Sequence, residues 1–199
     1  MGGGAAVVAA LPAHTDHPLV RRVYPSDVAG GITDLWRDRA RLLDGLDRLP
    51  QTLCHNDAFR RNLALRGDHL VGIDWAFIGR APMGAELSPL VSATAAFAEV
   101  GADDRSTLEH AAVSAYLEGL RDTGWRGSAD HVWLGYTATS ALRYGPGTVR
   151  LVLPTLLDPS LHAHVAEVLG MPFDAVLDHW AAVIRNDVQL HARAAQFLT

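Results

Sequence analysis

Residues 53–75 read Leu53-Cys54-His55-Asn56-Asp57-Ala58-Phe59-Arg60-Arg61-Asn62, then Leu63-Ala64-Leu65-Arg66-Gly67-Asp68-His69-Leu70-Val71-Gly72-Ile73-Asp74-Trp75. Two short apolar runs, 63–65 and 70–73, flank Arg66-Gly67-Asp68-His69. That pattern predicts a small β-hairpin with Gly67-Asp68 in its turn. A hairpin folds the chain back on itself, so Asp74 is expected close to Asn62 although twelve positions separate them in sequence.

Outward from the hairpin the chain reads as helical. Leu35, Trp36, Leu42, Leu43 and Leu46 form an apolar stripe, which predicts a helix over 33–49. Thr33 or Asp34 is the expected cap, and Pro50 the stop. Downstream, Ser88-Pro89 opens a helix to about Val100, unless Glu86 already begins it. Further helices are expected over 106–123, 129–144, 159–169 and 173–197, with breaks at Gly124, Gly145-Pro146-Gly147 and Gly170-Met171-Pro172. Residues 1–25 are rich in glycine, alanine and proline without a period and read as a tail or hinge remnant. The fold class is therefore mainly α with one short β-hairpin, built on residues 26–199 as a single body.

The residue types in the opening stretch suit phosphoryl transfer. That chemistry needs a carboxylate to take or orient the proton of the attacking hydroxyl. It also needs an amide oxygen and a second carboxylate to hold Mg²⁺ on the nucleotide phosphates. Asp57 fits the first role, and Asn62 and Asp74 fit the other two. Gly2-Gly3-Gly4 does not read as a nucleotide loop, because no strand precedes it and no Gly-x-Gly-x-x-Gly follows.

The stretch resembles the aminoglycoside phosphotransferase and choline kinase superfamily, whose members have a protein-kinase-like fold. The matching residues are His55-Asn56-Asp57, Asn62, Ile73-Asp74-Trp75, then Gly79, Gly84 and Glu86-Leu87, all within 52–90. The resemblance implies that Asp57 is the catalytic base and that Asn62 and Asp74 ligate Mg²⁺ and, through it, ATP. It implies support of the catalytic loop by His55, and by Arg61 at a position where tyrosine kinases also carry arginine. For Arg60 and Arg61 a solvated basic pair is the plainer reading. Two departures stand out: Asn56 replaces the usual glycine, and Ala76 an acidic residue. The chain then resembles the C-terminal lobe of such an enzyme.

The other lobe is not legible. No glycine-rich phosphate loop is present, and all seventeen basic residues are arginines, so the usual strand-borne lysine is missing. Three accounts follow. The chain is the catalytic part of a small-molecule kinase truncated before its N-lobe, a non-catalytic pseudokinase-like binding or interaction module, or one half of a pair whose N-lobe is a separate partner. In each, little ATP-dependent activity is expected of these residues alone. Apolar residues facing the absent lobe, among them Phe59, Ile73, Phe77 and Ile78, are expected to be exposed, favouring self-association or cover by an ordered N-terminal segment.

Composition narrows the remaining classes. A chain of 199 residues with 49% hydrophobic and 20% charged content is that of a soluble globular protein. A net charge of −5 gives no reason to expect nucleic-acid binding. No segment is long and apolar enough to span a membrane, and Ala5–Leu11 is a poor signal peptide, so a cytoplasmic protein is expected. The single cysteine, Cys54, sits in an apolar run and reads as a buried thiol. The ten histidines lack metal-site spacing. Trp125, Trp133, Tyr136, Tyr144 and Trp180 are core aromatics or the lining of a substrate pocket. Asp103, Asp104, Glu109 and Glu118 read as a solvated helix face able to attract a cation. The acceptor, a small hydroxyl-bearing molecule by resemblance, is not readable from these residues.

Overall fold

A computed structural model describes residues 3–101 and 103–198. The chain is mainly helical. It begins with α1 (Gly3–Ala10), a 3₁₀ turn (Leu11–His14), α2 (Pro18–Val23) and α3 (Ser26–Asp47). Four short strands follow: β1 (Gln51–Cys54), β2 (Leu63–Arg66), β3 (His69–Gly72) and β4 (Gly79–Pro82). After them come a π-helical turn (Pro89–Ala93), α4 (Thr94–Ala96), α5 (Arg105–Asp122), α6 (Ala129–Leu157), α7 (His162–Leu169) and α8 (Phe173–Gln196). Among the described residues no helix is long and apolar enough to cross a membrane.

The chain divides into two compact units, one of Met1–Ala40 with Ala141–Ala192, the other of Arg41–Ser140 with Arg193–Thr199. In the first unit Leu11, Val20, Val23 and Tyr24 are buried with Val28 and Ile32 of α3, Val149, Val152 and Leu156 of α6, and Leu177 and Ile184 of α8. Residues 1–25, expected as a tail or hinge remnant, are thus helical from Gly3 onward and part of a core; Met1 and Gly2 lie outside the described residues. Composition misled because a short helix of small and β-branched residues has weak intrinsic propensity and is stabilised mainly by what it packs on. Arg22 adds hydrogen-bonded ion pairs from α2 to Asp174 at 2.7 Å and Asp178 at 2.8 Å on α8.

The break expected at Gly145-Pro146-Gly147 does not occur, and α6 runs through it to Leu157. A proline inside a helix costs about 3 kcal/mol. Burial of Val149, Val152, Leu153 and Leu156 beyond it offsets that cost at about 1.5–3 kcal/mol each. Gly145 has a packing role: a Cβ there would collide with Leu35 Cδ2. Helix α3 likewise starts seven residues before the expected Thr33, whose hydroxyl donates to the Ala29 carbonyl inside the helix.

The second unit holds all four strands. β2 and β3 pair antiparallel with Leu65 opposite Leu70, and Gly67 takes a left-handed φ of 57° in the turn. This is the hairpin expected from the sequence. A second antiparallel pair, β1 with β4, places Cys54 opposite Gly79 and was not expected. The helix expected over 88–100 ends early, as a π-helical turn and the three residues of α4, with Glu86 ahead of it.

Of the acidic residues expected on a solvated face, Asp103, Asp104 and Glu118 are exposed, but Glu109 is buried. Its carboxylate accepts from Tyr136 Oη at 2.9 Å and pairs with Arg193 at 2.7 Å, whose guanidinium lies over the Trp133 ring. A helix face that looks solvated by its charge pattern becomes interior wherever a partner cation arrives from distant sequence. Tyr136 is therefore a core residue of this unit, while Trp180 packs against Phe173 in the other. Trp125 lines an open cleft of about 400 Å³ with Arg121 and Arg126.

Candidate active site

The segment 54–62 is held from both sides. Strand β1 delivers Cys54 and His55 to a buried position. Beyond it the backbone turns at Asn56, whose φ of 63° lies in the left-handed region. Asparagine tolerates that region better than other non-glycine residues because its side chain bonds locally. Here Asn56 Nδ2 donates to the Phe77 carbonyl at 3.0 Å and to the Cys54 carbonyl at 3.4 Å. The replacement of glycine at this position thus keeps the turn and adds a tie to the segment after Asp74. Asn56→Gly is expected to fold with nearly unchanged stability, losing the ties but relaxing the backbone. Asn56→Ala loses both and should lower the unfolding free energy by about 1–2 kcal/mol, as read by urea titration.

Asp57 and Asn62 meet directly. Asn62 Nδ2 donates to Asp57 Oδ2 at 3.1 Å and to the Asp57 carbonyl at 3.0 Å, and Asn62 is buried. The hairpin then returns the chain, and the Ile73 amide donates to the Asn62 carbonyl at 2.9 Å. Asp74 follows immediately, exposed, with a left-handed backbone at φ 59°. His55 Nε2 bonds the Ile73 carbonyl at 2.8 Å, and its ring packs on Trp75 with centroids 4.5 Å apart. The structure therefore joins the His55 ring and the backbone of Asn62 to the backbone of Ile73 by hydrogen bonds, with Asp57 and Asp74 next in sequence to these segments.

Arg61 is engaged elsewhere. It is ion-paired with Glu99, whose side chain is largely buried, and lies 4.8 Å from the Phe97 ring centroid. Phe97 in turn stacks on Phe59. Ala98, between Phe97 and Glu99, also has a positive φ of 56°, so among the described residues the three non-glycine residues with this backbone lie in the loop or next to residues that contact it. Each costs of order 1 kcal/mol and persists only where surroundings impose it, as functional loops do.

Glu86 is the residue whose part the sequence reading missed. Its Oε2 accepts from the His55 amide at 2.6 Å and from the Asn56 amide at 3.3 Å. The turn that carries Glu86 lies close against α6: a Cβ at Gly84 would collide with the Val132 carbonyl, and one at Gly135 with the Met83 carbonyl. Two glycines thus permit the approach that sets the height of Glu86 under the loop. The acidic residue after Gly84 was visible in the sequence, but only as an opener of a helix.

Burial, with the Glu86 carboxylate nearby, pushes the Cys54 thiol up to about 12. The folded state therefore keeps a proton that the unfolded chain releases above 9.0. This contribution is fully present below pH 9 and is lost as pH rises toward 12. Wild-type protein should lose stability between pH 8.5 and about 11, as judged by urea midpoints, and Cys54→Ala should lose less over the same window. Cys54 should also resist thiol reagents at pH 8 until the chain unfolds.

The donor set here suits a hard cation. With its nitrogen committed to Asp57, Asn62 can offer a cation only Oδ1, and the Asp74 carboxylate adds a second oxygen type of ligand. Two or three oxygen donors fit Mg²⁺ that completes its shell from phosphates and water. Among the described residues no three His, Cys, Asp or Glu side chains converge as a metal cluster.

The hairpin thus returns the chain beside the loop on which Asn62 meets Asp57, and Asp74 follows the residue bonded to Asn62. The sequence model of the phosphotransferase enzyme family matches residues 8–129, well over half of the chain, and the chain belongs to that family. No curated protein and no solved structure matches it.

Proposed function

We propose that this chain carries the catalytic loop and metal ligands of an ATP-dependent phosphotransferase acting on a hydroxyl of a small molecule, in a body resembling the C-lobe of the protein-kinase-like fold. The observation that carries this reading is the Asn62–Asp57 contact, joined to the hairpin bond that returns Ile73 to Asn62. Family membership supports the reaction class. Asp57 would accept the acceptor's hydroxyl proton as its oxygen bonds to the γ-phosphorus. The bond to the β–γ bridging oxygen then breaks and ADP leaves. Asn62 and Asp74 would hold Mg²⁺, which, when bound, supplies charge neutralisation at the phosphates. His55 keeps the Asp74 turn against the loop through the Ile73 carbonyl.

Nucleotide binding tests this without requiring turnover. Mn²⁺·ADP, a paramagnetic stand-in, is expected to broaden backbone amide resonances of residues 55–62 and 72–76. Asp74→Ala should remove the broadening at equal ligand concentration, whereas Asp103→Ala should not. Broadening that ignores Asp74→Ala, or none up to millimolar ligand, would sink the metal assignment.

A further inference from the structure

We infer that Glu99, on the turn after α4, is a positioning residue for the loop 57–62. It acts through Arg61, as Phe97 beside it acts through Phe59, and together they fix Asn62 against Asp57. The inference rests on the roles given above to Asp57, Asn62 and Asp74, and adds to them a support of the loop from distant sequence. Asn62 must keep Nδ2 on Asp57 while it offers Oδ1 to a cation, so its side chain can have one orientation only. A misplacement of about 1 Å in such a group costs about a hundredfold in rate.

The loop is one hydrogen-bonded turn. The Phe59 amide donates to the Asp57 carbonyl at 2.9 Å and the Asn62 amide to the Phe59 carbonyl at 2.9 Å, while Asn62 Nδ2 reaches the Asp57 carbonyl at 3.0 Å. Whatever holds Phe59 and Arg61 therefore also sets the direction of the Asn62 side chain. Glu86 ties the entry of the loop through the His55 and Asn56 amides. Residues 97–99 grip its later half. Arg61 Nε donates to Glu99 Oε1, the Arg61 guanidinium lies 4.8 Å from the Phe97 ring centroid, and Phe97 stacks on Phe59 with centroids 5.7 Å apart.

Two independent observations separate this grip from an ordinary surface contact. The first is the burial of the acid. The Glu99 side chain is only 8% exposed, and among the described residues its Oε2 is buried without a hydrogen-bond partner. A carboxylate so placed is costly unless a cation compensates it, so Glu99 holds the guanidinium more firmly than an exposed acid would. The second is the backbone. Ala98 has a left-handed φ of 56°, and the Glu99 amide reaches back five residues to the Thr94 carbonyl at 3.1 Å. Alanine has no polar side chain to favour that conformation, so the surroundings impose it. The buried charge and the strained backbone fall on one turn, and that turn is the one that contacts Phe59 and Arg61.

The test reads loop geometry and ligand binding separately on the full chain. Glu99→Gln keeps an oxygen that accepts from Arg61 Nε and removes the charge; Glu99→Ala removes both. In NMR spectra without ligand, the Arg61 Nε–H and the Asn62 side-chain amide should be protected from exchange with water in the wild type. That protection should fall in Glu99→Gln and further in Glu99→Ala. Mn²⁺·ADP affinity, from titration of the broadening at 55–62, should drop about tenfold or more in Glu99→Ala and less in Glu99→Gln. The urea midpoint of Glu99→Gln should stay near that of the wild type. Asp103→Ala, at an exposed position, should change none of these. Should Glu99→Ala fail to fold, Phe97→Ala takes its place, since that ring is 40% exposed, and the same losses are expected. Unchanged Arg61 and Asn62 signals in the folded variants overturn the inference, as does an unchanged affinity in Glu99→Ala. A purely structural role would lower the urea midpoint of Glu99→Gln without moving the Asn62 signals, and that result overturns it as well. If the wild type binds no Mn²⁺·ADP, the metal assignment falls, and the Asn62 signals without ligand alone decide whether Glu99 positions the loop.

Discussion

Asp57→Asn is expected to lower ATP-dependent phosphoryl transfer by about a hundred- to ten-thousandfold in any form of this protein that turns over, with little change in stability. The substitution keeps the size of the side chain and an oxygen that can accept from Asn62 Nδ2, so the loop contact survives. What it removes is the carboxylate proposed to take the hydroxyl proton. The 199 residues by themselves are expected to turn over slowly or not at all, because they contain no lysine to clamp the α- and β-phosphates. Positioning and charge stabilisation are most of phosphoryl-transfer catalysis. The measurement is ATP consumption over a panel of aminoglycosides, choline and small hydroxyl compounds. It compares this chain, the chain joined to a lobe with a glycine-rich phosphate loop and lysine, and the Asp57→Asn form of the latter. Robust turnover by the 199 residues alone would overturn the need for the clamp. Equal rates in the last two proteins would remove Asp57 from the reaction.

Glu86→Ala is expected to cost about 3 kcal/mol of unfolding free energy. One partly buried carboxylate oxygen accepts from two successive backbone amides, His55 and Asn56, at the point where the loop leaves β1. Hydrogen bonds to a charged acceptor contribute about 1.5–3 kcal/mol, and removing the acceptor leaves both donors to be resolvated in a confined place. Glu86→Gln keeps a carbonyl oxygen and should recover more than half of the loss. In the Mn²⁺·ADP experiment Glu86→Ala should also spread or weaken the broadening at 55–62, since the loop is no longer fixed. Urea titration of both variants, each with unchanged slope, is the check. A loss below about 0.5 kcal/mol would mean that water replaces the carboxylate without penalty.

The apolar residues named for exposure behave mostly as expected. Ile73, Phe77 and Ile78 are exposed, whereas Phe59 is only half so because Phe97 stacks on it. The difference is instructive. Exposure of 73–78 follows from a local strand–turn pattern with nothing to pack on. The partner of Phe59 lies 38 residues downstream, on a turn whose left-handed Ala98 no propensity would suggest.

Features that depend on near neighbours along the chain are legible before it folds. The β2–β3 hairpin is written in four residues of turn chemistry, and α5 and α8 in their own periodicity. The five-residue interval from Asp57 to Asn62 made their contact legible, because a short loop can turn both side chains together. Features that depend on residues brought from far away emerge only once the chain is folded. The β1–β4 pair joins residues at least twenty-five apart and contains glycine and proline that argue against a strand when read locally. Helix α6 continues through Gly145-Pro146-Gly147 because packing on Leu35 and burial beyond it outweigh a local penalty. The N-terminal helices exist because a core receives them. Glu86 and Glu99 find their roles only where folding puts a loop amide or a guanidinium within reach, and no single stretch of sequence holds both ends of such a contact.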